Sequence, residues 1–112
     1  MQRAFGIVVP LVAALVASAM LVGPAFAGVS VVDATGHRVT LDQPAERIVA
    51  LTPHLVENLF TAGLGDAVVG AVRYSDYPPA ATSIPRVGGY RSVSLEAILA
   101  RRPDLVVAWA PA

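Results

Sequence analysis

The chain has 112 residues, 55% of them hydrophobic, with eight arginines, no lysine, eight acidic residues and no cysteine. Its formal net charge of zero provides no basic field for nucleic acid or an anionic membrane surface. The absence of cysteine excludes a disulfide-stapled scaffold, a thiol nucleophile and a lipid-modified lipoprotein.

Much of the apolar weight lies at the front. Met1-Gln-Arg3 supplies a short positive start, residues 7–22 form an uncharged apolar run, and Ala25-x-Ala27 closes it with the small-x-small pattern of a cleavage site. Residues 1–27 therefore read as a secretory signal peptide, with Gly28 the first mature residue. A membrane anchor is the competing reading, because the run approaches the lower limit for spanning a bilayer. An anchor has no need of the Ala-x-Ala exit, however, and no basic stop-transfer cluster follows. Residues 28–112 carry seven arginines and eight acids, one net negative charge. A unit this short buries only about 60–65% of its unfolded surface. Leu105-Val-Val-Ala-Trp-Ala-Pro-Ala112 stops just after an apparent buried strand with no closing helix, so a truncated product or a piece of a longer protein is expected.

Residues 28–46 read as a β-hairpin extension, two short strands around Ala34-Thr-Gly36, ended by Pro44. Arg47-Ile-Val-Ala-Leu51 is a short apolar run, the form of a strand covered on both faces. Thr52 is placed to cap a helix and Pro53 to open it, and Leu55, Val56, Leu59 and Phe60 share one face. Gly63 or Gly65 ends this helix. A second strand spans 67–72 and a minor third one 84–89. Ser94 caps a further helix with Leu95, Ile98 and Leu99 on one side and Arg101-Arg102 at its negative end. Pro103 stops it, and Asp104 opens the last strand, which runs to Trp109. This alternation predicts an α/β fold, a Rossmann-like parallel sheet with flanking helices over residues 47–112.

Ligands of such sheets bind beyond the carboxyl ends of the strands. That edge collects Thr52-Pro53-His54, Tyr74-Ser75-Asp76-Tyr77, Tyr90 and Trp109. Aromatic faces there suit a large, flat or partly apolar ligand, with hydroxyl and indole N–H groups giving direction. Pro78 and Pro79 are expected to hold the tyrosine loop extended, so that less order is lost on binding. Each residue also has a plainer role: Tyr74 and Trp109 as covers of the sheet edge, Tyr77 as a loop brace, Asp76 as a turn-former bonding its own backbone, His54 as a solvated helix residue. His37 is a hairpin residue with no evident role. The serines lack a Gly-x-Ser-x-Gly setting, the histidines lack metal-ligand spacing, and no glycine-rich phosphate loop follows a strand. No catalytic or metal-binding constellation is expected, nor a resident cofactor.

Val32-Asp33, Gly36, Arg47-Ile-Val-Ala-Leu51, Pro53, Glu57, Ala62-Gly63, Val69-Gly70, Tyr74-Ser-Asp-Tyr-Pro-Pro79, Val87-Gly88, Leu95-Glu-Ala-Ile98 and Pro103-Asp-Leu-Val-Val-Ala-Trp109 together resemble the N-terminal lobe of the periplasmic binding proteins for cobalamin and ferric siderophores. The Ser-Asp-Tyr-Pro-Pro run and the closing Ala-Trp are most similar to the cobalamin-binding members. The resemblance implies a two-lobe protein with a helical hinge, of which this chain holds the first lobe and lacks the second. It further implies a monomeric solute-binding component of an ABC importer, exported to the periplasm. The implied ligand is cobalamin or a related corrinoid, with a ferric siderophore or haem as the alternative within the family. Tyr74 and Trp109 match aromatic ligand contacts, Tyr90 stands where the cobalamin-binding member has a tryptophan and keeps an aromatic face, and His54 and Asp76 stand beside them. Glu96 matches a glutamate that docks onto the inner-membrane permease. Its position in the first helical turn, about 100° round from the apolar stripe, lets it face solvent and steer encounter; a carboxylate favoured by the helix dipole is the plainer role. A product of another class, a non-functional lobe or a small interaction module without cargo, would have no second lobe downstream.

Overall fold

The computed structural model describes residues 28–89 and 91–110, so the expected signal peptide and Tyr90 lie outside the described residues. Strands β1 (Val29–Val32) and β2 (Arg38–Leu41) form an antiparallel hairpin in register from Val29 opposite Leu41 to Val32 opposite Arg38. Its turn is built by Asp33, whose carboxylate accepts the amides of Thr35 and His37, each at 2.9 Å, and the Thr35 hydroxyl at 2.7 Å. His37 has a part in that turn after all, since its Nδ1 lies 2.7 Å from the same hydroxyl. Both faces of the hairpin leave valines exposed.

The remaining elements make the parallel sheet. The order is β4 (Val68–Gly70), β3 (Ile48–Ala50), β5 (Leu105–Val107), with both pairings parallel. Strand β3 is central and wholly buried, as its uninterrupted apolar run requires. Helix α1 (Pro53–Thr61) connects β3 to β4, and helix α2 (Leu95–Ala100) precedes β5. The strands are shorter than the apolar runs suggest. Residues 65–67 close a 3-10 turn instead of opening β4, and 84–89 pairs with the sheet through one parallel bridge, Arg86 to Ala71. Amide bonds from Ala71 to the Pro85 carbonyl (3.0 Å), Val87 to Ala71 (2.8 Å) and Arg73 to Gly88 (2.9 Å) carry that fourth position alongside β4.

The two faces bury separate cores. Ala50, Val56, Val68, Ala71, Ala81 and Ile84 pack on the α1 side, with Leu55, Leu59 and Phe60 of the helix closing over them. Val49, Val72, Val87 and Ile98 pack on the α2 side. Strand β4 carries one extra residue against β3, so its register shifts between Ile48 and Val49. A one-residue slip exchanges the faces, which is why Val68 and Val72, four residues apart, lie in opposite cores.

The helix ends follow local chemistry. Gly63, at φ +82°, ends α1 with its amide on the Phe60 carbonyl (3.0 Å) and that of Leu64 on Leu59 (2.8 Å), a paired closure that needs the left-handed residue. Ser94 caps α2 by accepting the Ala97 amide at 3.2 Å. Thr52 has the extended backbone of a cap but makes no side-chain bond to α1, and its buried hydroxyl has no partner. The expected apolar side of α2 is also corrected: Ile98 is buried, whereas Leu95 and Leu99 are 68% and 64% exposed. Three-residue spacing aligns side chains but does not supply an element to cover them.

The amino ends of β3 and β5 are clasped. The Asp104 carboxylate accepts the amides of Glu46 (2.9 Å) and Arg47 (3.0 Å), and the Asp104 amide donates back to the Arg47 carbonyl at 2.9 Å. The Arg47 guanidinium donates to the carbonyls of Arg101 and Arg102, where α2 ends. The amide bond from Glu46, then that from Arg47 and the Arg47 charge, hold the Asp104 carboxyl below the usual carboxylate range. A carboxyl depressed in the folded state stabilises above its unfolded pKa, and that contribution is lost as pH falls below about 4. Thermal melts should therefore show Asp104→Asn less stable than the parent at neutral pH, with the two curves converging in acid.

Candidate functional site

The carboxyl edge of the sheet holds the residues that the fold does not use for packing. Beyond β3, His54 stands in the first turn of α1 and meets the Trp109 ring edge-on, with centroids 5.3 Å apart and planes at 80°. Trp109, two residues past β5, is 64% exposed. It lines a shallow depression with Leu51, Thr52, Arg91, Val93 and Ala108. The unpartnered Thr52 hydroxyl belongs to a residue of this wall, and an orphaned buried hydroxyl costs about 1–3 kcal/mol.

Beyond β4, Tyr74 projects into solvent, 72% exposed, from a backbone at φ +71°. A bulky non-glycine residue held there stores about 1–3 kcal/mol of strain. Nothing in the core requires it: the side chain is outside, while the neighbouring Ser75 is buried with its hydroxyl unpartnered. The turn is braced by Arg86, whose guanidinium donates to the carbonyls of Ser75 (2.8 Å) and Ala81 (3.1 Å) and to the Asp76 carboxylate (3.3 Å). Asp76 thus pairs across the loop with Arg86 instead of bonding its own backbone. Tyr77 is 68% exposed and braces nothing by burial. The expected extended loop is found at Pro78, after a cis Tyr77–Pro78 peptide, but Pro79 opens a 3-10 turn through Ser83.

The segment that returns to α2 is fixed by Gly88. At φ +147° it occupies a region closed to side chains, and an added Cβ would lie 2.5 Å from the Ser92 carbonyl oxygen. That close approach forms the antiparallel bridge from Gly88 to Val93 and the 2.9 Å bond from the Gly89 amide to Ser92. The resulting tight loop carries Arg91 to the depression beside Trp109 and also to one shared with Tyr74, Arg73, Gly89 and Ser92.

Of the residues picked out by sequence, His54 and Trp109 are in contact, and Tyr74 and Asp76 share a second depression on the same edge. Glu96 is apart from both, exposed on the first turn of α2; Tyr90 is outside the described residues. Thr52, which its position after β3 places at this edge, lines the Trp109 depression, whereas Arg73 and Arg91 are lining residues that pattern alone did not reveal. The flanks of Tyr74 and Tyr90 were the available signal for the two arginines. Among the described residues no group of three metal-ligating side chains forms. The surface offers aromatic faces, directional hydroxyls and guanidinium groups, the kinds of group that suit binding and orienting a ligand.

Two substitutions test this anatomy through stability. Gly88→Ala should cost more than Gly36→Ala, whose Cβ would meet nothing within 4 Å, because it adds a clash to the about 1 kcal/mol of backbone strain common to both. Tyr74→Asn should hold or raise the melting temperature, since asparagine tolerates the left-handed region; a clear loss of stability would mean that the exposed tyrosine is structural.

Residues 48–110 match the family described as periplasmic binding protein. The vitamin B12-binding protein of Vibrio cholerae is 48% identical over 66 residues, 59% of this chain and 24% of that protein. Its crystal structure superposes with a TM-score of 0.57 over 59% of this chain and 26% of its own. A periplasmic heme binding protein from Pseudomonas aeruginosa is 32% identical with a TM-score of 0.54, covering 55% of this chain and 22% of its own. The chain thus spans about a quarter of the length of these relatives. With the match running from the first residue of β3 past Trp109, this chain belongs to the periplasmic binding protein family.

Proposed function

We propose that this chain forms one wall of the ligand cleft in the solute-binding component of an ABC importer, and that its ligand is cobalamin or a related corrinoid. The observation that carries the reading is the pair of aromatic residues at one sheet edge, Tyr74 thrust outward on strained backbone and Trp109 set edge-on against His54. A corrin is broad, partly apolar and fringed with amides, so ring faces and hydroxyls are its natural partners. The likeness to the vitamin B12-binding protein of Vibrio cholerae supports this choice of ligand. In this reading a second lobe supplies the opposite wall, the protein acts as a monomer, and residues 1–27 direct export to the periplasm.

Haem is the second reading, favoured by the exposed imidazole of His54 at the cleft and by the likeness to the Pseudomonas aeruginosa heme binding protein. Glu96 docks onto the permease in either case. It is exposed, and no described residue pairs with it in an ion pair or hydrogen bond, so its charge is free to meet a cationic partner.

Calorimetric titration of the full-length protein with cyanocobalamin tests the ligand. Saturable binding weakened at least about tenfold by Tyr74→Ala or Trp109→Ala is the expected result. Binding of haemin in its place would move the assignment to haem. Glu96→Ala should leave the titration as it is and reduce uptake by cells; equal loss of binding in all three variants would point to misfolding and remove the assigned roles.

A further inference from the structure

Three arginines stand at the carboxyl edge, and they are not equivalent. Arg86 is committed to the Ser75 and Ala81 carbonyls and to Asp76. Arg73 and Arg91 have no side-chain hydrogen bond and no carboxylate partner among the described residues. Both line the depression formed with Tyr74, Gly89 and Ser92. Arg73 also lines the adjoining one with Asp76 and Arg86, and Arg91 reaches the wall of Trp109. The backbone fixes where each guanidinium starts: the Arg73 amide is bonded to Gly88 across the fourth sheet position, and Arg91 sits in the loop closed by Gly88. With Asp76 already paired to Arg86, two cations at this edge have no carboxylate partner among the described residues, in a unit that otherwise carries a net negative charge. Like charges sharing a depression repel, an arrangement that a bound anion relieves.

We infer that Arg73 and Arg91 form an oxyanion subsite beside Tyr74, and that the ligand presents to it a phosphodiester or a carboxylate. The inference rests on the macrocycle reading above and narrows it. Cobalamin carries a phosphodiester in its nucleotide loop, and haem carries two propionates; the planar guanidinium fork fits either group. The aromatic wall holds the ring, and the arginines select the ligand that bears the anion. Both arginines are exposed, so their contribution is that of two surface charge pairs, together about tenfold in affinity, and it weakens as salt screens them.

The test is calorimetry of the full-length protein with cyanocobalamin and with dicyanocobinamide, which lacks the phosphodiester, ribose and base. The parent should prefer cyanocobalamin about tenfold, less at high salt, and in the Arg73→Gln, Arg91→Gln double variant the preference should fall towards one. Equal affinities in the parent, or a preference that survives the double substitution, would overturn the subsite while leaving the corrinoid reading in place. If neither corrinoid binds, that reading fails, and haemin against its dimethyl ester decides the subsite independently. A free-acid preference that vanishes in the double variant sustains it with carboxylate as the anion. Equal binding of acid and ester, or no binding of either, rejects it.

Discussion

The sheet depends on the clasp between Asp104 and the backbone of Glu46 and Arg47. Each strand has only three residues, too few for ladder bonds alone to fix parallel neighbours brought together from opposite ends of the folded unit. A charge-assisted acceptor for two amides sets β5 against β3 at its first residue. The reciprocal bond from the Asp104 amide to Arg47 makes slippage by one residue costly. Arg47 extends the same clasp to the end of α2, whose last carbonyls would otherwise lack donors. The amino edge of the sheet is thereby closed, and the register it imposes delivers Leu51 and Ala108 side by side at the other edge, with His54 and Trp109 just beyond them. The Leu51 amide bond to the Val107 carbonyl, 3.0 Å, is the last rung before the cleft opens.

Much of this was legible in the sequence because it is encoded locally. An uninterrupted run such as 47–51 has no polar face to offer water, and Gly63 after an apolar helix stripe has one common use. Proline at the start of α1 and serine before α2 mark helix entries by the same local logic. What was not legible depends on what lies opposite. The spacing of Leu95, Ile98 and Leu99 is the same whether or not a neighbour covers all three, and in the structure only Ile98 finds one. Thr52 has the residue type and backbone of a cap, yet burial against the cleft wall takes its hydroxyl away from the helix. Asp76 was open to a local turn bond, and Arg86, ten residues on, outcompetes it. The two cleft arginines were hidden for the same reason: seven similar cations follow residue 27, and pairing in three dimensions decides which of them stay free.

The distribution of unsatisfied groups separates the two edges of the sheet. At the amino edge every named polar group of the clasp is bonded. At the carboxyl edge lie the orphaned hydroxyls of Thr52 and Ser75, the left-handed Tyr74, the steric exclusion at Gly88 and two guanidinium groups with no partner among the described residues. Each is unfavourable by itself, by about 1–3 kcal/mol for the strained and orphaned groups. They gather where the proposed ligand would approach, opposite the closed edge whose bonded clasp holds the sheet in register.

That asymmetry bears on how, in the proposed role, one wall could select a ligand by itself. Ring faces presented from strained or tightly pinned backbone lose little freedom on contact, so more of the contact energy appears as affinity. Apolar contact discriminates weakly among flat macrocycles of similar area, because it is non-directional and scales with surface. Directional groups must therefore set the choice. On this wall they are the Tyr74 hydroxyl and the two guanidinium groups round one shared depression, and the Trp109 indole N–H in the neighbouring one that Arg91 also lines, Arg91 being carried there by a loop whose geometry only glycine at position 88 permits. On the proposed reading, replacing arginine at either flank would leave the stacking surface in place and would alter which fringe group a bound macrocycle must carry. On that reading, ligand choice by this chain does not have to reside in the aromatic residues that make the resemblance recognisable; the charged flanks set it while the rings supply the common surface.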